Sequence, residues 1–252
     1  MPLTIARYTL LEALRNRLLW LLIGAALGAV GLAGFLHELA LTESHALQAA
    51  LLGAVLRLAA VFLIATFVIT SMVREANDKG LELLLALPLP RGTYLAGKLA
   101  GFGALAIVPA LLFGALALAL APAGQAALWA LSLLCECWIV AAFSVLCVLT
   151  LQQVLPALAA ALAFYLMARA IGPLLLIGQA GGTATDLGQH VLGGAMQVLG
   201  LLLPHLDGFT RSDWLVYHGG TGADLLAIAV QTALYVGLMA AAGLFDLYRK
   251  QI

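Results

Sequence analysis

Apolar residues run through this chain in long blocks, and short polar stretches punctuate them. Six blocks are each long enough to cross a bilayer as a helix, which takes ~20 apolar residues. They lie at about 18–38, 51–73, 95–120, 126–150, 154–179 and 222–246. The breaks are Glu38 to Gln48, a charged stretch from Arg74 to Tyr94, Ala121-Pro122-Ala123-Gly124, Gln152-Gln153, and a longer segment over 180–221. Ahead of the first block, residues 3–17 set Arg7, Glu12, Arg15 and Arg17 among Ile5, Tyr8, Leu11 and Leu14 at helical spacing. That pattern predicts an amphipathic helix lying on the membrane surface. The block after it is too long for the core of a signal peptide and lacks a clear small-residue cleavage site, so this helix is expected to stay in the mature protein.

The predicted fold class is therefore all-α integral membrane. It has six transmembrane helices, an N-terminal interfacial helix, and a single domain over 1–252. Composition agrees: 64% of the 252 residues are hydrophobic and 10% are charged, against about 45–50% apolar and 25% charged for soluble domains. The zero net charge says little; where the charges lie says more. Six spans put Arg7, Arg15, Arg17, Arg74, Lys79, Arg91, Lys98, Arg249 and Lys250 on one side, which is nine of the twelve basic residues. The opposite loops hold Arg211 with Glu38, Glu43, Asp186, Asp207 and Asp213. By the positive-inside rule both termini and the charged stretch face the cytoplasm.

The stretch 187–203 is the rival for a seventh span. It carries Gln189, His190, Gln197 and the pair Gly193-Gly194, and it is short for a crossing. A seventh crossing would also move Arg249 and Lys250 outside. The better fit is a re-entrant or surface-lying helix on the outer face, capped by Thr185 or Asp186 and stopped at Pro204.

The charged stretch carries the most specific pattern. Gly92-Thr93-Tyr94-Leu95-Ala96-Gly97-Lys98 imitates the first seven positions of a phosphate-binding P-loop. The eighth is Leu99, where Mg²⁺ coordination needs a hydroxyl. Pro88-Leu89-Pro90 also stands where a P-loop needs a strand. No nucleotide site is expected, and Lys98 is expected to anchor the end of the third span by snorkelling. Around the imitation lie Arg74-Glu75, Gly80-Leu81-Glu82-Leu83-Leu84, Pro88, Arg91 and Gly97-Lys98. That order resembles the first cytoplasmic loop of the membrane subunits of type-2 ATP-binding-cassette exporters, with Leu81 where that family often has Thr. Leu203-Pro204, Phe209, Asp213 and Tyr217 resemble the same family's segment before its last span. The layout matches over nearly the whole chain, the residues only in these two stretches.

The resemblance implies a permease subunit, most readily of an exporter, that hydrolyses no ATP itself. Through the coupling segment 74–94, and Arg74, Glu75, Gly80, Leu81, Glu82, Leu84, Pro88 and Arg91 in particular, it would dock on a separate ATP-binding subunit that holds the ATP and Mg²⁺. It would work with a second permease copy or a homologous permease, in a bacterial cytoplasmic membrane. Residues 75–86 suit that role physically. They are expected to form a short amphipathic helix with Leu81, Leu84 and Leu85 on one side, ended by Pro88 and Pro90.

Three ionisable groups fall inside apolar blocks, where their cost marks them as candidates for function. Glu136 and Arg169 each lie about 15 Å below the outer face at 1.5 Å per residue. They are expected to pair or to face a common polar path, while Gly172-Pro173 kinks the fifth span. The pair either fixes helix packing or borders the route of transport. Arg57, nearer the outer face, is expected to snorkel outward. His37, His45, His190, His205 and His218 map to the outer side or span ends at no metal-binding spacing, and Cys135, Cys137 and Cys147 read as small buried hydrophobes. Gly24/Gly28 and Gly97/Gly101 have the GxxxG spacing of close helix contacts. No catalytic triad or carboxylate pair is present, no cofactor is expected in this chain, and nothing points to nucleic acid. The alternative function is a gradient-driven secondary transporter or channel, active without an ATPase; an intramembrane enzyme would have little beyond Glu136 and Arg169 to work with. The cargo is not legible.

Overall fold

The computed structural model describes residues 2–15, 18–39, 44–78, 90–180, 194, 200 and 202–249. The elements are α1 (Pro2–Arg15), α2 (Leu18–Leu39), α3 (Ser44–Asn77), α4 (Arg91–Ala117), α5 (Ala123–Leu151), α6 (Val154–Ala180), a 3₁₀ turn (Leu206–Gly208), α7 (Ser212–Val216) and α8 (Gly222–Arg249). No strand occurs among the described residues. Six of these helices are long and apolar enough to span a bilayer, where a helix is favoured because it satisfies its own backbone polar groups. This is an all-α, multi-pass membrane protein.

Proline and polar residues set the ends. Pro90 and Pro122 stand at the N-caps of α4 and α5 in extended conformation, where a missing N–H costs nothing. Gln152 adopts φ 57° and closes α5 as a left-handed cap, its N–H on the Val148 carbonyl at 3.0 Å. Thr221 and Asp224 cap each other's backbone at the start of α8. Six of the described helices overlap the six apolar blocks, with α3 the main extension: it begins at Ser44, not 51. Gln48, which looks like a loop residue in sequence, is buried and donates to the Ala33 carbonyl of α2 at 3.1 Å. That bond satisfies a buried amide where α3 runs on past the apolar block.

The long helix α5 is the centre. It packs against α3, α4, α6 and α8, and 72% of its span is buried against 22% for α2 and 17% for α8. Trp129, Leu133, Cys137 and Ile139 of α5 are enclosed with Phe102 and Phe113 of α4, Ile64 of α3 and Tyr165 of α6. The outer helices keep apolar faces uncovered: Trp20, Leu27 and Phe35 on α2, and Leu226, Val230, Leu234 and Leu238 at every fourth position of α8. Such faces are unsuited to water and natural in lipid.

At one end of the bundle α1, the C-terminal end of α3, the N-terminal end of α4 and the C-terminal end of α8 come together. A Cβ on Gly101 of α4 would stand 2.8 Å from the Thr9 Cβ and 3.1 Å from the Ala6 carbonyl of α1. Glycine there admits the surface helix, so one of the two GxxxG pairs marks a real contact. Gly24 and Gly28 meet nothing within 4 Å. At the other end Leu206, Phe209, Trp214 and Leu215 are buried, and Gln125 exchanges two hydrogen bonds with the Gly220 backbone, at 3.0 and 3.1 Å. The expected outer helix over 187–203, with its caps Thr185 and Asp186, lies almost wholly outside the described residues.

Candidate functional site

Three charged residues at the two ends of the loop, Arg74, Glu75 and Arg91, are tied to neighbouring helices. Arg74, at the end of α3, pairs with Glu12 of α1, and Ser71 one turn earlier donates to the same carboxylate oxygen at 3.1 Å. Glu75 pairs with Lys98 of α4. The expectation that Lys98 snorkels is corrected: it is buried, its ammonium held by Glu75 and 5.8 Å over the Phe102 ring. A lysine so placed is tolerable because it is paired. Arg91 donates to the Leu247 carbonyl at 2.7 Å and lies 5.8 Å from the Tyr248 ring centre, tying α4 to the end of α8. Both ends of the loop are therefore braced, one through α1 and one through α8. Gly80, Leu81, Glu82, Leu84 and Pro88, with the short helix expected around them, lie outside the described residues. The P-loop imitation is the first two turns of α4, a helix and not a phosphate cradle.

Toward the opposite end, the three intramembrane charges gather at the turn after the 3₁₀ segment. Glu136 is fully buried. Arg169 Nη1 is 3.4 Å from Glu136 Oε1, Tyr165 Oη donates to that same oxygen at 2.9 Å, and the Thr210 hydroxyl donates to Oε2. Arg169 also donates to the carbonyls of Leu206 at 2.6 Å and Phe209 at 2.9 Å. Ser132 accepts the Thr210 N–H at 2.8 Å. Arg57, expected to snorkel outward, instead donates from Nη1 to the Thr210 carbonyl at 3.2 Å, because the turn after the 3₁₀ segment brings that acceptor within its reach. The Asp207 carboxylate occupies the space that a Cβ on Gly172 would need.

In the sequence Glu12 and Asp207 stand out only as charges of the surface helix and an outer loop, and Ser132, Tyr165 and Thr210 do not stand out as site members. Two of them left a signal: Ser132 and Glu136, like Tyr165 and Arg169, are four residues apart and share a helix face. Among the described residues no cluster of His, Cys, Asp and Glu is arranged to hold a metal.

Six spans, a braced charged loop and a polar knot near the far end are the frame into which a family comparison fits. The chain matches the family described as ABC-2 family transporter protein over residues 37–206, from α2 to the 3₁₀ turn. It belongs to that family. No curated protein matches it. As an ABC-2 membrane component the chain is a permease, and the family implies an ATP-binding subunit as its partner. The matched region contains both ends of the charged loop and, of the outer knot, Arg57, Ser132, Glu136, Tyr165, Arg169 and Leu206, while Asp207, Phe209 and Thr210 follow it.

Proposed function

We propose that this chain is the permease subunit of an ATP-driven exporter in a bacterial cytoplasmic membrane, with both termini on the cytoplasmic side. It assembles with a second permease copy or a homologue and with separate subunits that bind ATP and Mg²⁺. The observation that carries this is the bracing of the charged loop. Arg74 and Glu75 leave α3 held by Glu12 and Lys98, and Arg91 enters α4 held by the end of α8. A loop that merely connects two spans needs no such fixtures, whereas one that receives a push must pass it on without slack.

In this reading the charged motif positions the loop and leaves its middle to meet the ATPase. Closure of the ATP-binding subunits moves the loop, and α3 and α4 carry the movement toward the outer end. The experiment is affinity purification of the tagged chain from its own cells, followed by ATPase assay of the complex and of the chain alone. Recovery of an ATPase with a complete P-loop, and its loss with Glu75→Lys, supports the reading. A chain that purifies alone and conducts a solute in liposomes without ATP overturns it in favour of a gradient-driven transporter or channel.

A further inference from the structure

Thr210 occupies a backbone conformation that threonine rarely adopts. Its φ is 41°, and a β-branched residue at positive φ is a genuine outlier held only by what surrounds it. What surrounds it is specific. The N–H is taken by Ser132 and the hydroxyl by Glu136, both of α5, while the carbonyl is taken by Arg57 of α3. Every polar group of a fully buried residue is thus spent on two neighbouring helices.

These three bonds, shared between α5 and α3, oppose the strain of that backbone conformation. The segment that hangs from it is short, and its buried side chains rest on the span helices. Leu206 and Phe209 are fastened through their carbonyls to Arg169, and α7 sits with Leu215 against α3, where a Cβ on Gly53 would stand 3.0 Å from the Leu215 Cδ1.

We infer that Thr210 is a strained catch that holds Leu206–Val216 shut over the outer ends of α3, α5 and α6, and that it releases when α3 and α5 shift relative to each other. The inference deepens the permease reading, on which it rests for what moves α3. That helix has no internal proline. It carries Arg57 at the catch and Arg74 at the charged loop, about 26 Å apart along one axis at 1.5 Å per residue. Displacement at the loop reaches the catch through a single rigid element. Strain makes the catch responsive, because the closed state keeps energy that opening returns. Asparagine, which accepts positive φ and still offers a donor to Glu136, removes the strain and keeps the fastening. Valine does the reverse.

The test is hydrogen exchange of the peptide 206–217 in the full chain, purified into lipid nanodiscs without nucleotide. Relative to wild type, Thr210→Asn exchanges at least roughly fivefold more slowly and Thr210→Val at least roughly fivefold faster, the lower edge of what a positive-φ penalty or a lost buried hydrogen bond produces. Should Thr210→Asn fail to fold, Thr210→Gly replaces it. It lacks the hydroxyl as valine does, so its slower exchange than Thr210→Val isolates the strain. Asparagine exchanging as fast as wild type or faster, or glycine as fast as valine, overturns the catch. No nucleotide or ATPase is present, so the result stands whether or not an ATP-binding subunit is found.

Discussion

Arg57 of α3 donates to the carbonyl of Thr210, 153 residues further along the chain, at 3.2 Å. This bond joins the second span to the segment that precedes the last one. It also brings a second arginine to the Glu136–Arg169 pair, so one end of the protein has its own electrostatic centre, remote from the charged loop.

Replacing Arg57 with Ala strips the Thr210 carbonyl of its partner in a buried turn. Stability should fall by about 1–3 kcal/mol, the cost of an orphaned buried acceptor, with partial recovery in Arg57→Lys. Thermal unfolding in detergent measures it. An arginine that reached only for the membrane surface would leave the melting temperature unchanged.

Exchanging Glu136 and Arg169 for one another should not restore what either single reversal destroys. Each single change leaves a buried charge unpaired, at about 3–5 kcal/mol. In the double exchange a carboxylate would face the carbonyls of Leu206 and Phe209, which now accept from Arg169. Yield of monodisperse protein by size-exclusion chromatography reads the result. Full recovery would reduce the knot to a simple ion pair.

Gly172→Ala places a methyl on the Asp207 carboxylate and should cost about 1–3 kcal/mol by overpacking. Asp207→Ala in the same chain should return most of that loss, since it removes the group the methyl strikes. The melting temperatures of the two singles and the double form the cycle, and additive losses would refute the contact.

The two ion pairs beside the charged loop should behave differently. Arg74 and Glu12 are partly exposed, with 59% and 31% of the side chains accessible, against 6% and 19% for Lys98 and Glu75. Glu12→Ala should therefore change stability by no more than about 1 kcal/mol while lowering transport per ATP hydrolysed. Lys98→Ala, which strands Glu75, should cost more than Glu12→Ala and reduce assembly. Unfolding and the transport-to-hydrolysis ratio of the reconstituted complex separate the two.

The spans were legible because apolar block length is a one-dimensional quantity, and breaks such as Pro122 and Gln152-Gln153 act locally. The start of α3 was not, because Gln48 finds its partner, the Ala33 carbonyl, on another helix. Glu136 and Arg169 stood out as charges in apolar surroundings, and their equal depth made a meeting reasonable. Thr210 was invisible as a site member, and Ser132 and Tyr165 showed only their four-residue spacing to those charges: hydroxyl residues are common, and only the fold shows which of them meet a carboxylate. Lys98 and Arg57 misled in the same way. A long basic side chain near a span end looks like a surface anchor until a partner from a distant part of the sequence is seen beside it.

The burial of Glu136 also constrains how the chain is made. A lone carboxylate near the centre of a helix costs about 2.5–3.5 kcal/mol to leave the insertion machinery for lipid, and a lone arginine about the same. Only Gln152 and Gln153 separate α5 from α6, so the two helices can enter the bilayer as a hairpin with Glu136 and Arg169 already facing each other. The turn that completes the knot is synthesised later. Until Thr210 emerges, the carboxylate oxygen of Glu136 turned away from Arg169 and Tyr165 waits for its donor.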